Sequence, residues 1–478
     1  MLSGKACCAP VAQLDRAPDY ESGGQEFESL RARHLNFQNF HFSALQVAHA
    51  QARFAAIQRH KTATNRKQSV DVLIWKDVTM KRCCLAVAFG ALLAMQGTNH
   101  VVAADLMGFW DQRERGGNSF NEAPPGEEYF KALAATGATW VRLTFSKWKG
   151  EGRDFLIGDA DRYEGLKAKD LATLRKVLDA AQAAKLKVVV VPLSLPGARW
   201  AQQNGGKFDD RLWSDPAFAE QAVRFWSDLA TALKDHPAIA AYNIVNEPAP
   251  EKTTGLAENG SSRDLAAWQA QQAGSPRDLT KLYERIVTAI RAVDPVTPVM
   301  VDSGYYANPR SLAAWPKPLS DDRVLYAFHM YEPYQATSVP NMKRKTPLRY
   351  PGVKTDYAGG TIAWDRDAVG AHIDTAFDWA QAQGLKPTRI VAAEFGCMRL
   401  WADCGTYLKD VMDAVDARGG HWAFYSFRED AWDGMDYELP ASLKPGQFYW
   451  LSEQKKAGKL PRNGELMQLL KQRMSANP

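Results

Sequence analysis

The sequence predicts an α/β protein of the (β/α)8 barrel class, and three observations carry that expectation. From Asp105 onward, short apolar runs rich in β-branched residues alternate with longer stretches whose apolar residues recur at helical spacing. The alternation repeats eight times in about 370 residues, which suits one barrel with long loops. No glycine-rich phosphate-binding turn follows any early run, which separates the pattern from its rival, a doubly wound open sheet.

Taken in order, residues 106–110 are expected as the first strand and 125–136 as the first helix. Residues 139–145 (TWVRLTF) form strand two, and 171–184 its helix. The run 187–193 (KVVVVPL) is continuously apolar, as befits a strand covered on both faces. Residues 215–234 are helical, with Pro216 suited to a first turn. Strand four is 239–245, followed by a helix at 279–293; strand five is 298–302, with a short helix within 309–315. Strand six is 324–331 with a helix at 368–383, strand seven 389–394 with a helix at 407–417, and strand eight 421–427 with a closing helix at 464–473. The connections after strands three, four and six are long. They leave from the C-terminal strand ends, the face on which barrels build active sites.

The first hundred residues read differently. Lys81 and Arg82, the apolar run from Leu85 to Met95, and Val102-Ala103-Ala104 have the layout of a signal peptide starting at Met80 and cleaved after Ala104. A membrane anchor needs roughly 20 apolar residues, more than this run supplies. A signal peptide is read at an N-terminus, so residues 1–79 are either an extension from a start codon set too far upstream or a disordered segment. The stretch from Val11 to Leu30 resembles a recurrent translation of transfer-RNA gene sequence. The expected organisation is therefore extension 1–79, signal peptide 80–104 and one barrel domain 105–478.

This division explains the net charge of +5. Residues 1–104 hold 12 Lys and Arg against 7 Asp and Glu, which leaves 47 of each sign in residues 105–478. The body has no bulk positive field for nucleic acid or anionic membrane. After Ala104 the cysteines are Cys397 and Cys404, which in an exported protein can pair or can stay as thiols.

Polar residues gather at the expected strand ends: Arg142 in strand two, Asn246 and Glu247 after strand four, His329 and Tyr331 at strand six, Glu394 at strand seven. Two carboxyl groups facing each other across a barrel mouth are what glycosidic cleavage requires, one protonated for the leaving oxygen and one ionised. Arg142 can hold a nearby carboxylate ionised, which suits a nucleophile. The other carboxyl needs burial and a neighbouring negative charge to keep its proton. Asn246 and Tyr331 can donate to sugar or carboxylate. Any one of these residues alone has a plainer reading as a helix cap, an ion pair or a structural histidine; the joint pattern carries the chemistry. Fifteen tryptophans allow aromatic platforms for pyranose faces. Trp110, Trp148, Trp200, Trp213 and Trp401 lie at or after strand ends, with Tyr425 and Trp432 near strand eight.

These motifs are recognisable. The run from Asp235 to Pro248 (DHPAIAAYNIVNEP) resembles the strand-four signature of glycoside hydrolase family 5, the cellulase-type family, with Glu247 at the acid/base position. Ala392-Ala393-Glu394-Phe395-Gly396 resembles its strand-seven motif, with Glu394 at the nucleophile. His329-Met330-Tyr331 and Arg142 match its strand-six pair and strand-two arginine. The resemblance spans about residues 106–474 and implies an eight-fold barrel and retaining hydrolysis of a β-linked glucan or mannan-type polysaccharide or oligosaccharide, without a cofactor or metal. Two departures mark a divergent branch. No histidine stands in the run from Pro192 to Gly197, and Tyr425 takes the place of the late strand-eight tryptophan. A non-catalytic sugar-binding barrel would predict loss of one glutamate, and both are present. Transglycosylation would use the same residues. A metal hydrolase would need several strand-end histidines, where only His329 qualifies. The expectation is a monomer, secreted or periplasmic, acting on a glycan and not on nucleic acid or membrane.

Overall fold

A computed structural model describes residues 106–443 and 462–475. The expected extension, signal peptide and Met80 start lie outside these residues. Eight parallel strands close into a barrel: β1 (Arg115–Ser119), β2 (Trp140–Thr144), β3 (Lys187–Val191), β4 (Ile239–Asn243), β5 (Val299–Asp302), β6 (Val324–Met330), β9 (Ile390–Phe395) and β10 (His421–Phe424), with β10 pairing back onto β1. Helices stand between successive strands. The barrel strands are buried along almost their whole length, which is why they read as unbroken apolar runs rather than alternating ones. Among the described residues no helix is long and apolar enough to cross a membrane.

The first strand departs from expectation. Leu106–Trp110 is a short helix, and the strand is Arg115–Ser119, whose sequence RGGNS carries no apolar residue. Its glycines make room for bulk contributed by neighbouring strands. A Cβ at Gly116 would come within 2.7 Å of the Trp140 ring, and one at Gly117 within 3.0 Å of Phe424. The apolar character of Leu106–Trp110 has another cause: Trp110, fully buried, packs edge-on against Trp140 with ring centroids 5.3 Å apart. Its indole N–H donates to the Ala240 carbonyl at 3.1 Å, at the start of β4. The helix thus lies against the N-terminal ends of the strands, opposite the face that carries the polar cluster.

Local rules set the other helices. Asp215 caps Pro216–Leu233 through the Ala217 N–H, with Pro216 in the first turn. Asp278 and Asp365 cap Leu279–Arg291 and Arg366–Ala382 in the same way. Beyond short helical turns, the long connections hold two features that the sequence reading does not anticipate. One is a helix at Ser262–Gln272, opened by a reciprocal Ser261–Asp264 capping box. The other is an antiparallel hairpin of β7 (Val353–Tyr357) and β8 (Gly360–Trp364). Both lie in the long connections after β4 and β6.

Candidate active site

The polar cluster assembles at the C-terminal ends of β1, β2, β4, β5, β6 and β9, with Arg142 at its centre. Its guanidinium is fully buried and spreads over five acceptors. Nε donates to Asn243 Oδ1 at 2.8 Å. Nη1 donates to Asn118 Oδ1 at 3.4 Å and to Glu394 Oε1. Nη2 donates to Asn246 Oδ1 at 2.7 Å and Asp302 Oδ2 at 3.4 Å. A planar five-donor fork can serve several acceptors from one fixed position, which a lysine could not.

Glu394 ends β9 and is almost wholly buried. Besides Arg142, the Tyr331 hydroxyl donates to its Oε2 at 2.9 Å. An irregularity between Phe328 and His329 shifts the β6–β9 register and sets His329 beside Glu394. Glu247 stands just past β4 in a left-handed conformation, φ 48°. Its N–H donates to Asp302 Oδ2 at 3.1 Å, and its Oε1 meets His329 Nδ1 at 2.8 Å. Carboxylate oxygens of Glu247 and Glu394 and a ring nitrogen of His329 lie within 4.8 Å of one another.

Charge divides the two glutamates. Burial pushes Glu247 up to about 8, with Asp302 adding to the shift and Arg142 opposing it. Burial also raises Glu394 above the ordinary carboxylate range, against His329 and Arg142. Because Arg142 and Tyr331 both donate to Glu394, and donors stabilise the charged form, the first proton shared by the pair belongs on Glu247. Burial lowers His329 from the usual histidine value, against Glu394 and Asp302, which favours the neutral ring. Placing its proton on Nε2, which faces Asp302 Oδ2 at 3.6 Å, leaves Nδ1 to accept the proton of Glu247. As a metal site the same three residues are poor: both Glu394 oxygens already accept from Arg142 and Tyr331, and the guanidinium repels a cation.

The structure therefore brings together Arg142, Asn246, Glu247, His329, Tyr331 and Glu394. It does not bring Trp110 there: that side chain plugs the opposite end of the barrel, which corrects its assignment as a sugar platform. Trp148, Trp213 and Trp401 are buried packing residues, though Trp213 lines a cleft beside Glu247. Trp200 is half-buried in that cleft and meets Phe120 edge-on at 5.6 Å. Tyr425, buried, stands 6.5 Å from the rings of both Tyr331 and Trp432 and donates to Glu429 at 3.1 Å. Burial raises Glu429 to about 7, while Lys147, 3.0 Å away, opposes the shift. Cys397 and Cys404 are joined by a disulfide.

Sequence reasoning passed over Asp302, Asn243 and Asn118, which hold Arg142 and the Glu247 backbone. Asp302 had a visible signal as the acid that closes the apolar run VMVD. Asn118 had none, since its strand went unrecognised.

Comparison with known proteins points the same way. The family description "Cellulase (glycosyl hydrolase family 5)" matches residues 102–431. A probable glucan 1,3-beta-glucosidase A of Aspergillus fumigatus is 20% identical over 348 residues, covering 67% of this chain and 76% of that protein. Among solved structures, an endoglucanase superposes with a TM-score of 0.52 at 18% identity, covering 76% of this chain and 99% of the other. Thermotoga maritima Cel5A in complex with a mannotriose substrate gives 0.51 at 16% identity, covering 75% and 97%. At such identities the structural likeness is one of fold.

Proposed function

The chain belongs to glycosyl hydrolase family 5 and is a glycoside hydrolase; from that premise we propose that it cleaves β-linked glucosyl or mannosyl glycosides by double displacement, with retention of configuration. Glu394 is the nucleophile and Glu247 the acid/base. Glu394 attacks the anomeric carbon while Glu247 passes its proton to the leaving oxygen, giving a glycosyl ester on Glu394. Glu247, now ionised, takes a proton from water as that water displaces Glu394 and restores the anomeric configuration. Arg142 and Tyr331 hold Glu394 for attack. His329 and Asp302 orient Glu247, and Asp302 supplies negative charge that favours its protonated form.

The observation that supports this reading most is the spacing of the carboxyl groups. A gap of about 5–5.5 Å accompanies retention, and about 6.5–9.5 Å accompanies inversion, where a water must fit between. One oxygen of each glutamate lies within 4.8 Å of the other's, a closeness that favours the shorter gap. The sugar preference rests on the relatives: a glucosidase, an endoglucanase and an enzyme holding mannotriose.

The test is Glu394→Ala assayed on β-glucans, mannan and β-glycosides. Activity should vanish, and azide should restore turnover with formation of a sugar azide of inverted anomer. Full activity without azide would remove Glu394 from the nucleophile's role. Export is part of the same proposal, supported by the layout of residues 80–104 and by the Cys397–Cys404 disulfide.

A further inference from the structure

An open cleft lies on one side of the candidate catalytic pair. Asn246, Glu247 and Pro248 form its inner wall, and Glu394, Tyr331 and Tyr425 are not part of its lining. It therefore opens beside the acid/base and away from the nucleophile. In double displacement the acid/base protonates the leaving oxygen, so the group attached to that oxygen must lie on this side.

Apolar surface predominates in the lining. Leu193, Leu195, Trp200, Phe208, Trp213 and Tyr306 supply its main surfaces. Besides Glu247, the charged side chains among its walls are committed elsewhere. Arg199 donates to Asp154 at 3.0 Å through Nε and to Asp161 at 3.0 Å through Nη1. Asp209 accepts from the Arg199 N–H at 2.9 Å and from Arg211 Nε at 2.8 Å. The Asn246 side-chain oxygen accepts from Arg142. A pyranose carries hydroxyls around its rim that lose water on entry and need partners in return. A flat ring or an alkyl chain needs none, and gains by burial.

The outer wall is held at a conformational cost. Tyr305, Tyr306 and Ala307 are consecutively left-handed, at φ 49°, 59° and 62°, a conformation unfavourable for residues other than glycine and kept only where surroundings dictate it. The surroundings are specific. The buried Glu251 carboxylate accepts the Tyr305 N–H at 3.2 Å, and the Pro248 carbonyl, next to the acid/base, accepts the Tyr306 N–H at 3.1 Å. The strained run thereby ties Tyr306 to the backbone that carries Glu247. The Lys252 ammonium bridges the rim, 4.6 Å from the Phe208 ring centroid and 5.4 Å from that of Tyr306.

We propose that this cleft is a leaving-group pocket for an apolar aglycone, an aryl or alkyl group, and that the preferred substrate is a β-glycoside whose sugar sits on the Glu394 side and whose apolar group enters between Trp200, Phe208 and Tyr306. The proposal rests on the glycosidase reading above and names the half of the substrate which that reading leaves open.

The test uses the full chain and methyl, butyl and 2-phenylethyl β-glucosides and β-mannosides, whose leaving alcohols are all simple alkanols. The expected result is a rise in kcat/KM along the series, approaching about fourfold for each fully buried methylene, with the 2-phenylethyl glycosides turned over faster than the corresponding β-linked disaccharides. Phe208→Ser and Tyr306→Ser should flatten the rise. In parallel, 2-phenylethanol is titrated into the Glu394→Ala protein by calorimetry, with saturable binding expected and Phe208→Ser removing it. Turnover with no dependence on leaving-group size, or a preference for the disaccharides, overturns the pocket and leaves the glycosidase reading standing. Absence of turnover on every glycoside and glycan counts against the glycosidase reading. In that case the titration alone decides the pocket: saturable binding lost in Phe208→Ser upholds it, and no binding overturns it.

Discussion

Glu247 and Glu394 carry the same functional group in one chamber, and their neighbours separate them. Glu394 has two donors, Arg142 and Tyr331. Glu247 has the Asp302 carboxylate near its backbone and a neutral His329 on its oxygen. Catalysis needs Glu394 ionised and Glu247 protonated, so kcat/KM should trace a bell whose alkaline limb lies at about pH 8. Glu247→Gln should remove that limb and lower kcat by about 10²–10⁴-fold on alkyl glycosides. An alkaline limb that persists in Glu247→Gln would assign it to another group. The same shift fixes a stability trend. A carboxyl raised in the folded state contributes its stability below its unfolded value. That contribution declines as pH climbs from the ordinary 4.5 to about 8, because the unfolded chain ionises first. The melting temperature of Glu247→Gln, which does not titrate there, should therefore gain on the parent between pH 5 and 8 and level off above. The two glutamates, Arg142, Asn246, His329 and Tyr331 were legible because each sits in a short run whose neighbours mark a strand end. Glu429 and Lys147 were not: no local pattern shows that a residue five past a strand will be buried against one from another loop.

At the level of elements, the strands that read clearly are those buried on both faces, from KVVVV in β3 to IVAAEF in β9. The element that misled is the opposite case. β1 is polar and glycine-rich because its neighbours' tryptophan and phenylalanine fill the space its side chains would take, while the apolar LMGFW closes the barrel from below. Periodicity reports burial, and burial alone does not tell a strand from a plug. The inserted helix and the hairpin lie in long connections, where burial is partial and the pattern weakens. The plug has its own consequence. Trp110→Ala removes a fully buried indole together with its hydrogen bond to Ala240, and should cost about 3–5 kcal/mol in urea unfolding. The KM of the folded enzyme should stay within twofold of the parent, because the polar cluster is at the other end of the strands. A raised KM at undiminished stability would return Trp110 to the binding surface.

Over the whole molecule, charge and cysteine usage bear on where the barrel works. Residues 105–478 are neutral overall, and the excess of basic residues is confined to the first 104. A neutral body offers no electrostatic brake to passage or to diffusion among uncharged glycans. A disulfide between Cys397 and Cys404 needs an oxidising compartment to persist. Both facts fit export directed by residues 80–104, which requires Lys81 and Arg82 near a true N-terminus. The gene expressed from Met80 in a Gram-negative host should yield a periplasmic or extracellular protein beginning at Asp105, with no thiol alkylated until reductant is added. Expressed from Met1, the same segment lies behind 79 residues and should leave the product uncleaved in the cytoplasm. N-terminal sequencing and the mass after alkylation read both outcomes. Efficient processing from Met1 would make residues 1–79 part of a working leader, and retention of the Met80 product in the cytoplasm with free thiols would remove export from the proposal.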